Sequence, residues 1–192
     1  MYAGSGYLLP PDVNLRYDIQ PGDLGQVISL HGLLYAREFG FDCTFEASVA
    51  VVISDFYLVF NPDQERLWLL ETGSQITGSI GIVRRSYSEA QLRWFLVHPV
   101  HRGQGIGGLL LKEAINFCKD DKYRTISLST FSELTKASKL YQNAGFQIRF
   151  SDYGEKDATT LGARRRSKGK QGDVLFASPK QGDVLFASLF RP

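Results

Sequence analysis

Apolar side chains along this chain recur first at helical spacing, then in alternating runs, then at helical spacing again. Leu15 to Ile19 alternates as a short strand, and Pro21-Gly22-Asp23 supplies a turn with Asp23 as candidate cap. Leu24, Val27, Ile28, Leu34 and Tyr35 then mark one face of a helix that Gly40 stops. Asp42 or Thr44 opens a second helix to about Val59, with Phe45, Val49, Val52, Ile53 and Phe56 facing inward. Three β-rich runs follow, Arg66 to Thr72, Gln75 to Ser86 and Ala90 to Pro99, joined by Thr-Gly-Ser and Ser-Tyr-Ser-Glu. That order predicts an antiparallel meander.

Downstream, Ile106, Leu110, Ala114, Ile115 and Cys118 place a helix over 105–119, and Arg124 to Thr130 reads as a short, mostly buried strand. Leu134, Ala137, Leu140 and Tyr141 predict a last helix ending at Gly145, with a strand from Phe146 to Phe150. The pattern predicts an α/β (α+β) fold: a mixed, mostly antiparallel central sheet of about six to seven strands flanked by four helices. One further strand is needed to close it.

The division expected is a leader over 1–14, a folded domain over 15–153 and a tail over 154–192. The tail holds a basic stretch, Ala163 to Lys170, and the segment Lys-Gln-Gly-Asp-Val-Leu-Phe-Ala-Ser twice, from Lys170 and from Lys180, with only Pro179 between. Two such copies do not make a solenoid. One copy, Asp173 to Ala177 or Asp183 to Leu189, suffices to complete the sheet. The other is left as an edge strand or an oligomer contact, and a copy exchanged into a neighbour's sheet would give a homodimer.

The 192 residues suit one domain with a sizeable core, and 43% hydrophobic, 22% charged and a net charge of +2 make no case for a nucleic-acid or membrane binder. The basic stretch reads as a solvated loop. Cys43 and Cys118 have no ligand-like spacing with histidine, so they read as buried free thiols and no metal site is expected. The leader has no basic start and apolar core, and no uncharged apolar run reaches the roughly 18 residues of a membrane span, which makes the cytoplasm the expected compartment. Trp68 and Trp94 read as core or sheet-face residues.

The chemistry concentrates where the third β-run ends. Val97-His98-Pro99 leads into Arg102-Gly103-Gln104-Gly105-Ile106-Gly107-Gly108 and then a helix. Free amides at a helix start, the positive end of its dipole and glycines that admit close approach describe a phosphate-binding site. A nucleotide-triphosphate loop would end in Gly-Lys-Ser/Thr, which is absent. Gly103, Gly105 and Gly108 have dinucleotide-fingerprint spacing, but they follow an antiparallel meander instead of opening a parallel unit.

These residues resemble the GCN5-related N-acetyltransferase (GNAT) family. Its Q/R-x-x-G-x-G/A motif is present as Arg102 to Gly107, and its later element as Ala137 to Phe146. Leu30 to Asp42 resembles the acetyltransferase half of bacterial proteins that join a MarR-type regulator to such a domain. The resemblance implies the acyl-coenzyme A N-acyltransferase fold and acetyl-coenzyme A as co-substrate. Its pyrophosphate would lie on the amides of Arg102 to Gly108, that is Arg102, Gly103, Gln104, Gly105, Ile106, Gly107 and Gly108. Its pantetheine would run along the strand at Leu96 and Val97, where that strand splays from the next one. A main-chain N–H near Val97 would polarise the acetyl carbonyl.

The resemblance makes Tyr141 the acid that protonates the departing thiolate, against the alternative of a tyrosine merely packed on its helix. The family's glutamate position on the fourth strand is Gln91, so Glu89, two residues away, is the candidate base acting through water, with a solvated loop glutamate as its alternative. His98 at the strand end reads as structural. Leu134 stands where the family has an asparagine that holds the coenzyme, leaving Ser132 or Thr130 as replacements. His31, Tyr35 and Glu38 border the acceptor pocket by the same resemblance. The activity so implied is transfer of acetyl to a primary amine of a small molecule or peptide, by direct attack in a ternary complex. A non-catalytic acyl-coenzyme A sensor or interaction module is the alternative, since Gln91 is no base and the tail is unusual.

Overall fold

The computed structural model describes residues 9–131, 134–150 and 184–190. Its elements run β1 (Val13–Arg16), α1 (Asp23–Phe39), α2 (Cys43–Leu58), β2 (Arg66–Thr72), β3 (Gln75–Arg84), β4 (Glu89–Val97), α3 (Ile106–Asp120), β5 (Thr125–Phe131), α4 (Thr135–Asn143), β6 (Gln147–Phe150) and β7 (Val184–Phe190). They form one seven-stranded sheet in the order β1-β2-β3-β4-β5-β7-β6. Every neighbouring pair is antiparallel except β4 and β5.

Two apolar clusters cover the two faces. Trp68, Leu70, Ile80, Ile82, Ala90 and Leu92 pack with α3 residues such as Leu110, Leu111 and Cys118, while Leu67, Leu69, Trp94 and Leu96 pack with Val27, Leu34, Phe45 and Ile53 from α1 and α2. The alternation along β2, Leu67 and Leu69 to one side, Trp68 and Leu70 to the other, divides the buried centre of the strand between both layers.

The start of α1 differs from the expectation. Gly22, at φ 99°, holds the cap position without a side-chain bond, and Asp23 is the first helical residue. The Asp23 carboxylate accepts the Gln20 N–H at 2.6 Å and both Arg16 Nη groups at 2.7 and 2.8 Å. It therefore ties β1 to α1 instead of capping the helix. Asp42 does cap α2, accepting the Thr44 N–H at 2.9 Å. Cys118 is buried, but Cys43 is exposed at the start of α2, a correction to the expected pair of buried thiols. The helical face there is set by Phe45, Val49 and Ile53, which turns Cys43 outward.

The sheet also redraws the expected boundaries. Its first edge begins at Val13, and the second tail copy forms β7, an interior strand with Ser188 opposite both Ser127 and Gln147. The first copy lies outside the described residues. Strand β7 is thus formed by one of the two copies from which a further strand is expected. Among the described residues no helix is long and apolar enough to cross a membrane, and no cluster suited to a metal ion occurs.

Candidate active site

The site begins with one extra residue in β4. Ser79 pairs with Leu96 and Gly81 with Arg93, so Ile80 faces two residues, Trp94 and Phe95: a β-bulge. Trp94 takes φ 48°, a left-handed conformation costly for a bulky residue. Two neighbours hold it there. The buried Ser79 hydroxyl donates to the Trp94 carbonyl at 2.6 Å, and Gly81 leaves room for the ring, because a Cβ at Gly81 would stand 2.7 Å from Trp94 Cε3.

The bulge inverts the strand. Before it Ala90 and Leu92 belong to the α3 face; after it Phe95 and Val97 do, while Trp94 and Leu96 enter the α1/α2 face. Pairing with β5 ends at Leu92 opposite Leu128, although β5 continues to Phe131 against β7. Strands β4 and β5 therefore part beyond Leu92, opening a cleft whose β4 wall offers main-chain groups.

The glycine loop closes one end of that cleft. Gly103 and Gly105 both adopt φ 79°, the conformation for which glycine is needed. Leu109 is the first α3 amide to find a helical acceptor, the Gly105 carbonyl at 3.0 Å, so Ile106, Gly107 and Gly108 carry the uncommitted donors of the helix start. A Cβ at Gly108 would meet nothing within 4 Å, and one at Gly107 only ordinary contacts, so these two glycines keep space open rather than relieve crowding within the protein. Buried His101 anchors the loop from behind, its Nε2 lying 3.0 Å from the Thr72 hydroxyl.

Tyr141 on α4 completes the cleft. It is 5% exposed, packs between the Phe95 and Phe146 rings, and burial holds its phenol well above the usual range, so it stays protonated. Across the cleft, His31 donates through Nδ1 to the Val27 carbonyl at 2.8 Å, and burial lowers it to about 4, so it is neutral. Burial and the Glu38 charge raise Tyr35 to about 12, with Arg102 opposing. The whole cleft measures about 620 Å³.

Of the residues expected to hold the coenzyme, Leu96, Val97, Arg102, Gly103, Gly105, Gly107 and Gly108 line this cleft. The Gln104 side chain folds back to donate to the Val100 carbonyl at 3.1 Å, and the Ile106 side chain is buried in the core, so what these two residues turn toward the cleft is main chain. Ser132 lies outside the described residues. Thr130 lines the cleft with a buried hydroxyl that has no partner among the described residues.

Glu89 is corrected more sharply. It is the first residue of β4, exposed and paired in register with Thr125, at the opposite strand end from Val97 and outside the cleft lining. Gln91 does line it. His98 accepts the Val100 N–H through Nδ1 at 3.3 Å, and desolvation followed by the charges of His101, Arg102 and Arg37 lowers it; it shapes the turn. The structure adds Phe45, Val49, Val52 and Trp94 to the cleft, residues that amphipathic spacing marked only as core. Trp94 gets there through the bulge, which no local pattern announces.

Residues 63–148, under half of the chain, match the family model described as Acetyltransferase (GNAT) domain. The family uses acetyl-coenzyme A as co-substrate. Over 85 residues the chain is 32% identical to N-acetyltransferase 8B of Rattus norvegicus, covering 42% of this chain and 38% of that protein. The chain thus aligns with well under half of that relative's length. Among solved structures it is similar to an acetyltransferase from Streptococcus agalactiae 2603, with TM-score 0.66, 18% identity and coverage of 94% of this chain and 99% of that one. A GNAT family acetyltransferase from Elizabethkingia anophelis with acetyl-coenzyme A bound is similar at TM-score 0.56 and 17% identity, covering 95% and 100%. These likenesses establish the fold, while α1 and α2 lie outside the matched segment.

Proposed function

We propose that the protein is an N-acetyltransferase that moves the acetyl group of acetyl-coenzyme A to a primary amine by direct attack in a ternary complex. The observation that carries this reading is the cleft in which the open wall of β4, the glycine start of α3 and Tyr141 meet. The donors of Ile106 to Gly108 and the α3 dipole suit the pyrophosphate, and the parted edge of β4 suits the pantetheine amides. Leu30 to Asp42, which carries the likeness to the acetyltransferase half of MarR-type fusion proteins, contributes Leu34, Tyr35, Glu38 and Phe39 to the acceptor side.

In this reading the neutral amine nitrogen attacks the thioester carbon, the C–S bond breaks, and the thiolate takes the Tyr141 hydroxyl proton. The attacking nitrogen passes its surplus proton to water, and water returns a proton to Tyr141, so the phenol is restored at the end of the turnover. Gln91 cannot receive that proton, and Glu89 lies outside the cleft lining. The sensor alternative draws its support from Gln91 and from the repeated tail, whereas the place of Tyr141 in the cleft lining supports catalysis.

The test is calorimetry with acetyl-coenzyme A beside thiol release over a panel of amines, for the parent and Tyr141→Phe. A Tyr141→Phe loss of about 100-fold in kcat with unchanged coenzyme affinity is expected. Binding without turnover on any amine favours the sensor, and no binding removes both readings.

A further inference from the structure

Arg102 is the charged residue of the glycine loop, and its guanidinium crosses to the other bank of the cleft. Its Nε donates to the Val97 carbonyl at 2.8 Å and its Nη1 to Glu38 Oε2 on α1, also at 2.8 Å. The two side chains are 40% and 24% exposed, so the pair is one that solvent keeps weak, about 0–1 kcal/mol. A pyrophosphate offers Arg102 more charge and bidentate geometry than one carboxylate does. The contact is therefore built to be exchanged.

What exchange leaves behind is specific. Among the described residues lining the cleft, Glu38 is the one carboxylate, while Arg93, Arg102 and Lys136 are its cations. Behind Glu38 the lining is apolar and aromatic, with Leu34, Tyr35, Phe45, Val52 and Trp94. His31 and Tyr35 are both neutral near pH 7, so neither adds charge. At Tyr35 the Glu38 charge raises the phenol and the Arg102 charge lowers it, so the two oppose each other there.

We propose that Glu38 is the acceptor-recognition residue: once the coenzyme pyrophosphate draws Arg102 away, its carboxylate receives the ammonium group of a primary amine carried on an apolar or aromatic body. This rests on the acetyltransferase reading above and deepens it by naming the acceptor class. The ammonium sheds a proton before attack, so Glu38 acts on binding and its loss is read in KM more than in kcat. Coenzyme and amine then bind with positive coupling, without any change in the fold.

The test titrates phenethylamine into the free and the coenzyme A-saturated protein by calorimetry, with phenylacetate as the opposite-charge control. The parent is expected to bind phenethylamine roughly tenfold more tightly when loaded, and phenylacetate detectably in neither state. Glu38→Gln should abolish that difference and raise the amine KM while acetyl-coenzyme A affinity holds within about threefold. Arg102→Ala should bind the amine without coenzyme as tightly as the loaded parent does. Intact acetyl-coenzyme A binding together with amine affinity that is the same in Glu38→Gln and the parent overturns this inference alone. Failure of the parent to bind acetyl-coenzyme A overturns the acetyltransferase reading and this inference with it.

Discussion

The Ser79 hydroxyl donates to the Trp94 carbonyl at 2.6 Å inside the sheet, and Trp94 is the left-handed residue at which β4 turns over. The bond links two residues of adjacent strands at the bulge, and Trp94 itself lines the cleft. Ser79→Ala leaves the Trp94 carbonyl without that donor and should cost about 1–3 kcal/mol of stability. If the bulge also sets the β4 wall, acetyl-coenzyme A affinity falls with it. Urea denaturation and calorimetry on the same variant check both, and undiminished affinity at lowered stability would separate the bulge from the binding wall.

Thr130 makes an opposite pair of effects measurable. Its hydroxyl is buried in the cleft with no partner among the described residues, and such a group costs free energy until a ligand bonds it. Thr130→Val keeps the shape and removes the hydroxyl. The free protein should gain roughly 1 kcal/mol in stability while losing affinity for acetyl-coenzyme A. Thermal unfolding with and without the coenzyme reads both signs, and a variant that loses stability in both states contradicts the assignment.

Acid should weaken the fold through His31 before it does so through the carboxylates. Burial lowers His31 to about 4 from its ordinary 6.5, so the unfolded chain binds the proton first. The stability it contributes is complete above pH 6.5 and declines as pH falls toward 4, with a loss on the order of 2 kcal/mol between pH 7 and pH 5. Asp23, held below its usual range by Arg16, acts lower: its contribution is present above the ordinary carboxylate value and is lost as pH falls through the depressed one. Urea midpoints at pH 7 and pH 5 should differ strongly in the parent and weakly in His31→Leu.

The two tail copies are not equivalent strands. The second continues into Leu189, which pairs with Ile126 and packs its Cδ1 3.3 Å from where a Cβ on Gly145 would stand. The first continues into Pro179, which would occupy that interior position without an N–H to donate. Deleting residues 170–179 should leave the melting temperature within about 2 °C, whereas Leu189→Pro should lower it by roughly 5–10 °C. Equal tolerance of both changes would mean the copies substitute for each other.

Much of this molecule is legible in its sequence for reasons that are local. Helical spacing marks α1 to α4, with glycine stops after α1 and α4, alternation marks the strands, and the proposed anion site is read from a glycine-rich turn before an apolar helix because free amides and the dipole belong to the helix end itself. Tyr141 follows from the second motif. Tertiary structure alone decided the remainder, since it depends on partners distant in the chain. The bulge needs Ser79 and Gly81 on one strand to accommodate Trp94 on another, and it reverses which residues of β4 face each layer. That reversal turns Trp94 toward α1 and α2 and into the cleft lining, while the register beside Thr125 leaves Glu89 at the strand's far end. Strand β7 sets Leu189 opposite Ile126 across the sheet, and the Glu38–Arg102 contact joins residues 64 positions apart, a separation at which spacing along the chain carries no signal.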